Sequence, residues 1–388
     1  MSEEIVMLAP LPALRKRTRL AKMAPVLAAR GHPIAFYGWE RLPDEAAAFA
    51  WDGPGVTERT ILRGGGYAAG RARALYPLWM WRVFRQVLRL GRGRLLFCLG
   101  WETAFPALLA ARLTGSRVVF DDADRFSMIV RLPGPAGALL RRLERWASRR
   151  AALHVIPGFA RYEWRHARMV VLRNSPLSAD FDAARAAPPP RPAGAVVLYA
   201  NGWIGQTRGA PVFLELLERA RAAGLDLRLV IAGRVDGEAA PRLVADPGVI
   251  FLGELPQREA LAWYAVADAV LTYYDPAVAI NRKAESNKWG DAVFFGCPII
   301  VNAEVETARP LVERGAALAV PYHDVEGLLR IVAGLAGDSP ARAQAAQAVA
   351  SFRPEYPVFD LQLIQILRAV APIPEEAHAD VPKPPAQD

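Results

Sequence analysis

The sequence predicts an α/β fold built from two doubly wound, Rossmann-like domains. Short apolar segments alternate with longer amphipathic segments in both halves of the chain, which is typical of parallel sheets covered by helices on both faces. A proline-rich segment, 183–194, interrupts this alternation once, and the alternation restarts after it. The length of 388 residues also favours two domains, because single cores rarely grow beyond about 250–300 residues.

The first domain is assigned to residues 1–182. Its apolar segments predict buried strands, and Gly31 and Gly115 end two of the helices between them. The predicted strands are 5–8, 34–37, 95–99, 118–120, 153–156 and 170–172, and the predicted helices are 17–30, 104–113 and 137–150. The repeated strand–helix units point to a parallel sheet.

The second domain is assigned to residues 195–350, after the linker at 183–194. Its predicted strands are 196–200, 227–232, 249–252 and 269–273, and its predicted helices are 210–223 and 258–267. An amphipathic helix within 351–371 is expected to pack back on the first domain. The proline-rich, acidic segment 372–388 is expected to be disordered.

The composition limits the classes of partner that the protein is expected to bind. A net charge of +9 and a sequence pI near 9.8 favour anionic partners, which are nucleic acids, anionic lipids or phosphorylated ligands. The sequence has no zinc-ligand spacing, no aromatic RNA-binding strand motif and no recognisable helix-turn-helix, so nucleic acid is not expected. Phosphorylated ligands and an anionic membrane surface remain as the expected partners.

The sequence also predicts a cytoplasmic location. No apolar run reaches the roughly 18 residues that a membrane span needs. The N-terminus lacks the layout of a signal peptide, which is a basic segment followed by an apolar one. Cys98 and Cys297 both stand in apolar contexts, as expected of buried free thiols rather than of a disulfide.

Three segments of the second domain follow predicted strands and lead towards helices. In the first, 200–209, glycines at 202, 205 and 209 let backbone N–H groups approach an anion, and Arg208 adds a fixed positive charge. The second, 232–234, contains Gly233 and Arg234. Because open parallel sheets bind ligands at the carboxyl ends of their strands, these segments predict a phosphate site. The alternative is an ordinary set of strand–helix turns with solvated charges.

The third segment, 281–301, concentrates charged and amide side chains just before a Gly-x-Pro turn and an apolar strand. Such a set suits a sugar attached to a diphosphate, because basic groups and a helix N-terminus bind phosphates while carboxylates and amides bind hydroxyls. The residues concerned are Lys283, Glu285, Asn287, Lys288 and Asp291.

These segments resemble the donor-binding domain of glycosyltransferase family 4, whose members are retaining enzymes with the GT-B architecture. Segment 202–209 resembles the family's Gly-Arg-Leu-x-x-x-Lys-Gly turn, with Arg208 in place of the lysine and Trp203 where the arginine is expected. Segments 249–253 and 264–269 resemble its Val-x-Phe-x-Gly strand and its Tyr-x-x-Ala-Asp helix end. Segment 287–298 resembles its Pro-Asn-Lys-Leu-Phe-Glu-Tyr-x-x-x-Gly-x-Pro motif.

The resemblance implies two facing domains and particular roles for the second-domain residues. Arg208 and Lys288 are expected to neutralise the leaving diphosphate during catalysis. Asp291 matches the second glutamate of the family's Glu-x7-Glu motif and is expected to bind the ribose. The first glutamate falls on Lys283, so Glu285 is the expected substitute. The implied donor-binding residues are Gly202, Gly209, Gly233, Lys283, Asn287 and Asp291.

The resemblance extends more weakly to the first domain, which holds the acceptor in this architecture. Segments 99–102 and 118–124 look like the family's His-x-His-Asp and Val-Tyr-Asp-Ala-His-Glu regions. Glu102, Asp121 and Asp122 are therefore expected to bind the acceptor, and Asp124 to assist catalysis by accepting a proton. Capping or solvated carboxylates are the alternative. Asp122 and Asp124 also spell an Asp-x-Asp motif, but the donor half has none, and no metal or other cofactor is expected.

Segment 75–94 mixes aromatic and arginine side chains and is expected to form an amphipathic helix. Such a helix can lie in a bilayer interface, which would suit a lipid-linked acceptor at the inner face of the plasma membrane. The predicted membrane contacts are Trp79, Trp81, Phe84 and Arg85, with added charge from Arg15, Lys16, Arg17, Arg19 and Lys22. The alternative is a helix packed on the sheet with its basic side chains in water.

Taken with the resemblance, the residues predict a retaining hexosyltransferase that uses a nucleotide-diphosphate sugar in bacterial polysaccharide or glycoconjugate synthesis. Its acceptor would be a glycan or a lipid-linked molecule. A non-catalytic sugar-nucleotide-binding or membrane-associated relative is one alternative, and a sugar-nucleotide epimerase is another. A phosphorylase of similar architecture would need a cofactor lysine site, which the sequence does not show.

Overall fold

The computed structural model describes residues 4–67, 69–130, 132–337 and 339–370, and these form two parallel sheets. The first sheet has seven strands in the order β3-β2-β1-β4-β5-β6-β7. Its strands are β1 (Ile5–Leu8), β2 (Ile34–Glu40), β3 (Val56–Arg63), β4 (Leu95–Leu99), β5 (Arg117–Asp121), β6 (Leu153–Ile156) and β7 (Met169–Val171). The order reverses between β1 and β4, which is where a doubly wound sheet opens a crevice.

Helices cover both faces of this sheet. Alternation along β1 sends Ile5 and Met7 into one apolar layer and Val6 and Leu8 into the opposite layer, as expected of a strand buried on both faces. The α-helices from this part of the chain are α1 (Thr18–Ala28), α2 (Glu45–Ala48), α3 (Ala69–Leu90), α4 (Trp101–Thr114), α5 (Phe126–Ile129), α6 (Gly134–Arg150) and α7 (Ser178–Ala186).

The second sheet has six strands in the order β10-β9-β8-β11-β12-β13. They are β8 (Val196–Asn201), β9 (Leu227–Ala232), β10 (Val249–Gly253), β11 (Ala269–Thr272), β12 (Ile299–Asn302) and β13 (Ala317–Val320). The α-helices that follow are α8 (Ala210–Ala222), α9 (Ala240–Ala245), α10 (Gln257–Ala262), α11 (Asn287–Phe295), α12 (Arg309–Glu313), α13 (Val325–Gly334) and α14 (Pro340–Ser351). The prediction of two doubly wound α/β domains is confirmed.

Strand β3 was not predicted. Its sequence mixes Thr, Glu and Arg with few large apolar side chains, and most of its residues remain partly exposed. It pairs only with β2 and forms the edge of the sheet, so it needs little burial. Apolar runs identify central strands, whereas an edge strand of this kind carries a weak signal.

Two helices cross between the domains. Helix α7 includes residues 183–186 of the predicted linker, and its Phe181 and Ala184 pack into the apolar layer of the second domain, so the linker begins later than predicted. The last described helix, α15 (Phe359–Val370), packs on the first domain through Phe359, Leu363 and Leu367. Each domain thus carries a helix from the other part of the chain.

The predicted disordered tail at 372–388 lies outside the described residues. Within the described ranges, no helix combines the length and the apolar character that crossing a membrane would require.

Candidate active site

A cavity of about 340 Å³ lies between the domains and is lined by residues from both. The first domain contributes the segment before and within α1, and the loops after β5, β6 and β7. The second contributes the loops after β8 and β11 and the start of α11. Because these loops follow strands, the cavity lies at the carboxyl ends of both sheets, where open α/β sheets bind ligands.

The charge of this cavity is strongly positive. Two acidic side chains, Asp124 and Glu285, line it. Seven basic side chains line it as well: Lys16, Arg17, Arg19, Lys22, Arg161, Arg208 and Lys288. Such an excess of cations suits a ligand that carries several negative charges, for example a diphosphate.

The cations of the first domain are paired. Arg17 Nη2 lies 2.7 Å from Asp124 Oδ2, and Arg161 Nη1 lies 3.2 Å from Asp124 Oδ1. Arg19 Nη1 donates to Asp121 Oδ1 at 2.5 Å, and both of these side chains are buried. Burial alone would raise the pKa of Asp124, but the Arg17 and Arg161 guanidinium groups outweigh it and hold that pKa below its ordinary value.

Two lysines of the first domain are held in other ways. Lys16 Nζ lies 3.0 Å from Glu45 Oε1. Lys22 is almost fully buried, and its Nζ donates to the carbonyl oxygen of Ser175 at 2.8 Å. Burial lowers the pKa of Lys22, although the negative charge of Asp291 opposes this effect.

The two cations that the second domain contributes to the cavity are Arg208 and Lys288. Among the residues that the structure describes, no carboxylate lies within 4 Å of the charged nitrogens of Arg208 or Lys288. Lys288 belongs to the first turn of α11, where the Ser286 side chain caps the helix by accepting from Lys288 N. Asn287 lines the cavity beside it. A helix N-terminus and two free cations therefore face the cavity together.

Glu285 lines the cavity, and within the described part of the chain its carboxylate has no hydrogen bond and no ion pair. A Cβ atom at Gly158 would lie 2.0 Å from Glu285 Oε1, so the carboxylate lies directly against the first-domain backbone at Gly158. Burial raises the pKa of Glu285 to about 7, although Arg161 and Arg173 oppose this. A carboxyl with such a pKa changes protonation near neutral pH.

Lys283 does not line the cavity in this structure, and its role in donor binding stays a prediction. The structure uses its backbone instead: the carbonyl oxygen of Lys283 accepts from Arg161 Nε at 2.8 Å. This bond ties the segment before α11 to the first domain. Glu285, two residues later, lines the cavity together with Asn281 and Ala284 of this segment.

Asp291 is buried in α11 and does not line the cavity. Its Oδ1 atom has no hydrogen-bond partner among the described residues, and burial raises its pKa to about 6 against the opposing charges of Lys22 and Lys288. The predicted contact with a ribose therefore requires Asp291 to become more accessible than it is in this structure.

The three predicted donor-site glycines shape the loops rather than line the cavity. Gly202 has a φ of 88°, and a Cβ there would lie 3.1 Å from Lys288 Nζ. Gly233 approaches the Gly202 carbonyl so closely that a Cβ would lie 2.1 Å from its oxygen. Gly209 has a φ of 87° and packs against Phe213 and Tyr273. These contacts let the ends of β8 and β9 come together beneath Lys288.

The predicted acceptor-binding residues Glu102, Asp121 and Asp122 are buried and do not line the cavity in this structure, so their contact with an acceptor stays a prediction. Asp121 is held by Arg19. Asp122 Oδ2 accepts from Tyr162 Oη at 2.8 Å and lies 3.6 Å from His154 Nε2. Glu102 lies in the first turn of α4, and burial raises its pKa to about 7. Of the four predicted carboxylates in this domain, Asp124 lines the cavity.

The predicted membrane helix is α3, and one of its predicted contacts is wrong. Trp79 is fully buried, stacks on Trp39 and donates from Nε1 to Thr103 Oγ1 at 3.1 Å. Trp81 is 53% exposed and stacks on the half-buried Phe84, and Arg85 is exposed. The alternation of buried and exposed aromatic rings along one helix could not be assigned from composition alone.

Several cavity residues were missed or misassigned. Arg17, Arg19 and Lys22 were counted as charges for a membrane, but they line the cavity and the last two are buried. Arg161 and Tyr274 were not singled out at all. Their positions in the sequence could have identified them, because each of these residues follows a strand, at the end of the sheet where open α/β sheets bind ligands.

No group of three or more His, Cys, Asp or Glu side chains arranged to hold a metal ion is found within residues 4–67, 69–130, 132–337 and 339–370. Cys98 and Cys297 are both buried free thiols.

The chain matches no protein-family model and no curated protein sequence. Solved structures do resemble it over nearly its whole length. They include sucrose-phosphate synthase from Thermosynechococcus elongatus (TM-score 0.62, 14% identity, covering 94% of this chain and 98% of that one). They also include trehalose-6-phosphate synthase from E. coli bound with UDP-2-fluoro glucose (TM-score 0.65, 11% identity, 96% and 100%). WaaG, a glycosyltransferase involved in lipopolysaccharide biosynthesis, is a third (TM-score 0.62, 14% identity, 95% and 100%).

Sequence identities of 11–14% mean that these structures share the fold with this chain, and the comparison extends no further. The two sheets, the cavity between them and the full-length match agree on one architecture. The chain has the GT-B fold, in which two Rossmann-like domains enclose a cleft.

Proposed function

We propose that the chain is a retaining glycosyltransferase of the hexosyltransferase type, which moves a sugar from a nucleotide-diphosphate donor to a glycan or lipid-linked acceptor. One observation carries this proposal: Arg208, Lys288 and the N-terminus of α11 face an interdomain cavity without carboxylate partners among the described residues. Unpaired cations in such a place are suited to a diphosphate leaving group. The role in bacterial polysaccharide or glycoconjugate synthesis belongs to the same proposal.

The structural neighbours support the donor class. One of them is bound with UDP-2-fluoro glucose, and another, Alr3699/HepE from Anabaena, is in complex with UDP. Both cover this chain almost completely. A nucleoside diphosphate carries the negative charge that the cavity would neutralise.

In the proposed reaction, the bond between the sugar C1 and the diphosphate oxygen breaks, and a bond between C1 and the acceptor oxygen forms on the same face. The acceptor hydroxyl gives its proton to the departing phosphate oxygen. Arg208 and Lys288 stabilise the charge that develops on the diphosphate. No protein nucleophile and no metal is used in this scheme.

The two cavity carboxylates take different roles. Asp124 is held by Arg17 and Arg161 with a lowered pKa, so it is a weak proton acceptor and serves to position these arginines. Glu285 has free acceptor capacity and lies where the domains meet, so it is placed to hydrogen-bond a sugar hydroxyl. Glu285 thus takes the place that the Glu-x7-Glu comparison had given to Lys283.

Binding and turnover of defined donors test the proposal. Thermal shift with UDP, GDP and a panel of their sugar derivatives identifies the donor, because a ligand stabilises the fold according to its occupancy. Release of the nucleoside diphosphate is then measured with glycan and lipid-linked acceptors, and the anomeric configuration of the product is read by NMR. A donor that binds but never releases its diphosphate would favour a non-catalytic relative, an isomerised donor would favour an epimerase, and an inverted product would overturn retention.

We further propose that α3 contacts an anionic membrane. Leu78, Trp81 and Leu88 are all exposed on this helix, and Arg85 lies beside Trp81. Apolar side chains flanked by arginines suit the interface of a bilayer. Flotation with vesicles that contain anionic lipid should recover the protein, and the Trp81→Ala/Arg85→Ala variant should remain at the bottom. Equal flotation of both proteins would rule out this surface.

A further inference from the structure

Arg208 lies close to two aromatic rings on the second-domain side of the cavity. Its guanidinium carbon is 4.6 Å from the centroid of Tyr274 and 5.7 Å from that of Trp203. Both distances fall within the roughly 6 Å range of cation–π attraction. All three side chains line the cavity, and Arg208 has no ion pair with any described residue.

Trp203 is itself held in place, although it is 50% exposed. Its indole Nε1 donates to Asp236 Oδ1 at 2.8 Å, and Asp236 Oδ2 accepts from Arg234 Nη2 at 2.6 Å. A Cβ at Gly205 would lie 2.7 Å from Asp236 Oδ1, so the missing side chain at Gly205 makes room for this contact.

The backbone beneath Trp203 is also fixed. Ile204 N donates to the carbonyl oxygen of Arg234 at 2.9 Å, and Asp236 N donates to that of Ile204 at 3.0 Å. These two bonds extend the pairing of the neighbouring strands past their ends. An exposed tryptophan with this many anchors is unlike a ring that merely points into water.

Tyr274 is the second ring near Arg208, and it connects this group to α11. Its Oη donates to Ser286 Oγ at 2.7 Å, and Ser286 is the residue that caps α11. Asn302 fixes its backbone by accepting from Tyr274 N and donating to Tyr274 O. The ring therefore has a defined position relative to Lys288, which lies in the first turn of the same helix.

We propose that Trp203 and Tyr274 form an aromatic clamp that positions Arg208 for the diphosphate of the donor. A carboxylate partner would also hold the guanidinium, but it would cancel its charge, as Asp124 does for Arg17 and Arg161. Aromatic faces hold a cation while leaving its net charge and its edge N–H donors available. Trp203 is thus a positioning residue that acts through Arg208. The clamp rests on the proposed function.

A double-mutant cycle tests the clamp. The dissociation constants of inorganic pyrophosphate and UDP are measured by calorimetry for the wild type, Trp203→Ala, Arg208→Ala and the double variant. Loss of the ring should weaken both ligands by about 2- to 30-fold. If Trp203 acts through Arg208, the double variant binds no more weakly than Arg208→Ala alone. Phe251→Ala, which removes an exposed aromatic ring of the same domain, is the matched control.

The outcomes separate the clamp from the function. Independent effects of Trp203→Ala and Arg208→Ala, which multiply in the double variant, would overturn the clamp and leave the transferase proposal standing. Failure of the wild type to bind either pyrophosphate or any nucleoside diphosphate would overturn both. Trp203→Phe keeps an aromatic face and should restore most of the affinity lost in Trp203→Ala, whereas affinity no better than that of the alanine variant would contradict the cation–π contact. Unfolding midpoints of all variants show whether each remains folded.

Discussion

The two walls of the cavity treat positive charge differently. In the first domain, Arg17, Arg19 and Arg161 are bound to carboxylates. In the second domain, Arg208 and Lys288 have no carboxylate partner among the described residues. The paired cations stabilise the first wall, because neighbouring carboxylates balance their charge. Unpaired cations keep their charge available to an anion, so we expect the second wall to be the one that binds a negatively charged ligand.

The largest expected effect is on stability in the first wall. Asp121→Ala leaves Arg19 buried without its carboxylate partner, and such a change typically costs about 3–5 kcal/mol. The measurement is the free energy of unfolding from denaturant titration. Asp226→Ala removes an exposed carboxylate that pairs with Arg228 and should cost less than about 1 kcal/mol. Equal losses in the two variants would show that the buried pair is not structural.

The next effect is on catalysis in the second wall. Arg208→Ala should lower kcat by about 100- to 1,000-fold, because removing one preformed donor to a developing negative charge costs that much in other enzymes. Its free energy of unfolding should change little, since no ion pair is lost. Arg242→Ala, which removes an exposed arginine of the same domain, is the control. A stability loss in Arg208→Ala comparable to that of Asp121→Ala would contradict the distinction between the walls.

The two cavity carboxylates should respond to pH in opposite directions. Glu285 ionises near pH 7 in the folded state and near its ordinary value when unfolded, so the folded state binds more protons between about pH 4.5 and 7. Stability from this residue is therefore lost as the pH rises through that window. Glu285→Gln should be more stable than the wild type at pH 8, by at most about 3 kcal/mol, and equal to it at pH 4.

Asp124 gives the opposite sign and the smallest effect. Its pKa is lowered in the folded state. Its contribution to stability is therefore present at pH values above the ordinary aspartate pKa, and it disappears as the pH falls through the lowered pKa. Asp124→Asn should cost less than about 1 kcal/mol at pH 7, because the carboxylate is partly exposed. It should also tighten pyrophosphate binding severalfold by freeing Arg17 and Arg161. Weaker pyrophosphate binding would contradict the view that Asp124 neutralises this wall.

Most of the fold was predictable because burial on both faces leaves long apolar runs. Central strands such as β1, β4 and β8 appear at or near their predicted positions. Edge strand β3 was not predicted, because half-exposed strands lack that signal. The sequence predictions divide helix α7 between the first domain (residues up to 182) and the linker (from 183), since an Ala-rich segment next to prolines does not reveal that Phe181 and Ala184 pack on the second domain.

The residues of the second wall could be predicted from the sequence more fully than those of the first wall. The second wall is built mainly from two short segments, 201–209 and 281–288, so its residues stand close together in the sequence. The first wall joins residues as distant as Arg17 and Arg161. Composition does not distinguish a buried cation from an exposed one, so the basic residues near Arg17 predict a membrane surface from the sequence alone.

The sequence by itself determined the two α/β domains, the strand ends that carry the ligand groups, and the cations Arg208 and Lys288. These depend on local patterns: apolar runs, glycine turns and the start of a helix. Only the tertiary structure decided which charges are free. Pairing of Arg17 and Arg161 with Asp124, burial of Asp121 and Trp79, and the rings around Arg208 all depend on contacts between distant segments. Neighbouring groups decide both the pKa of an ionisable side chain and whether its charge is available to a ligand.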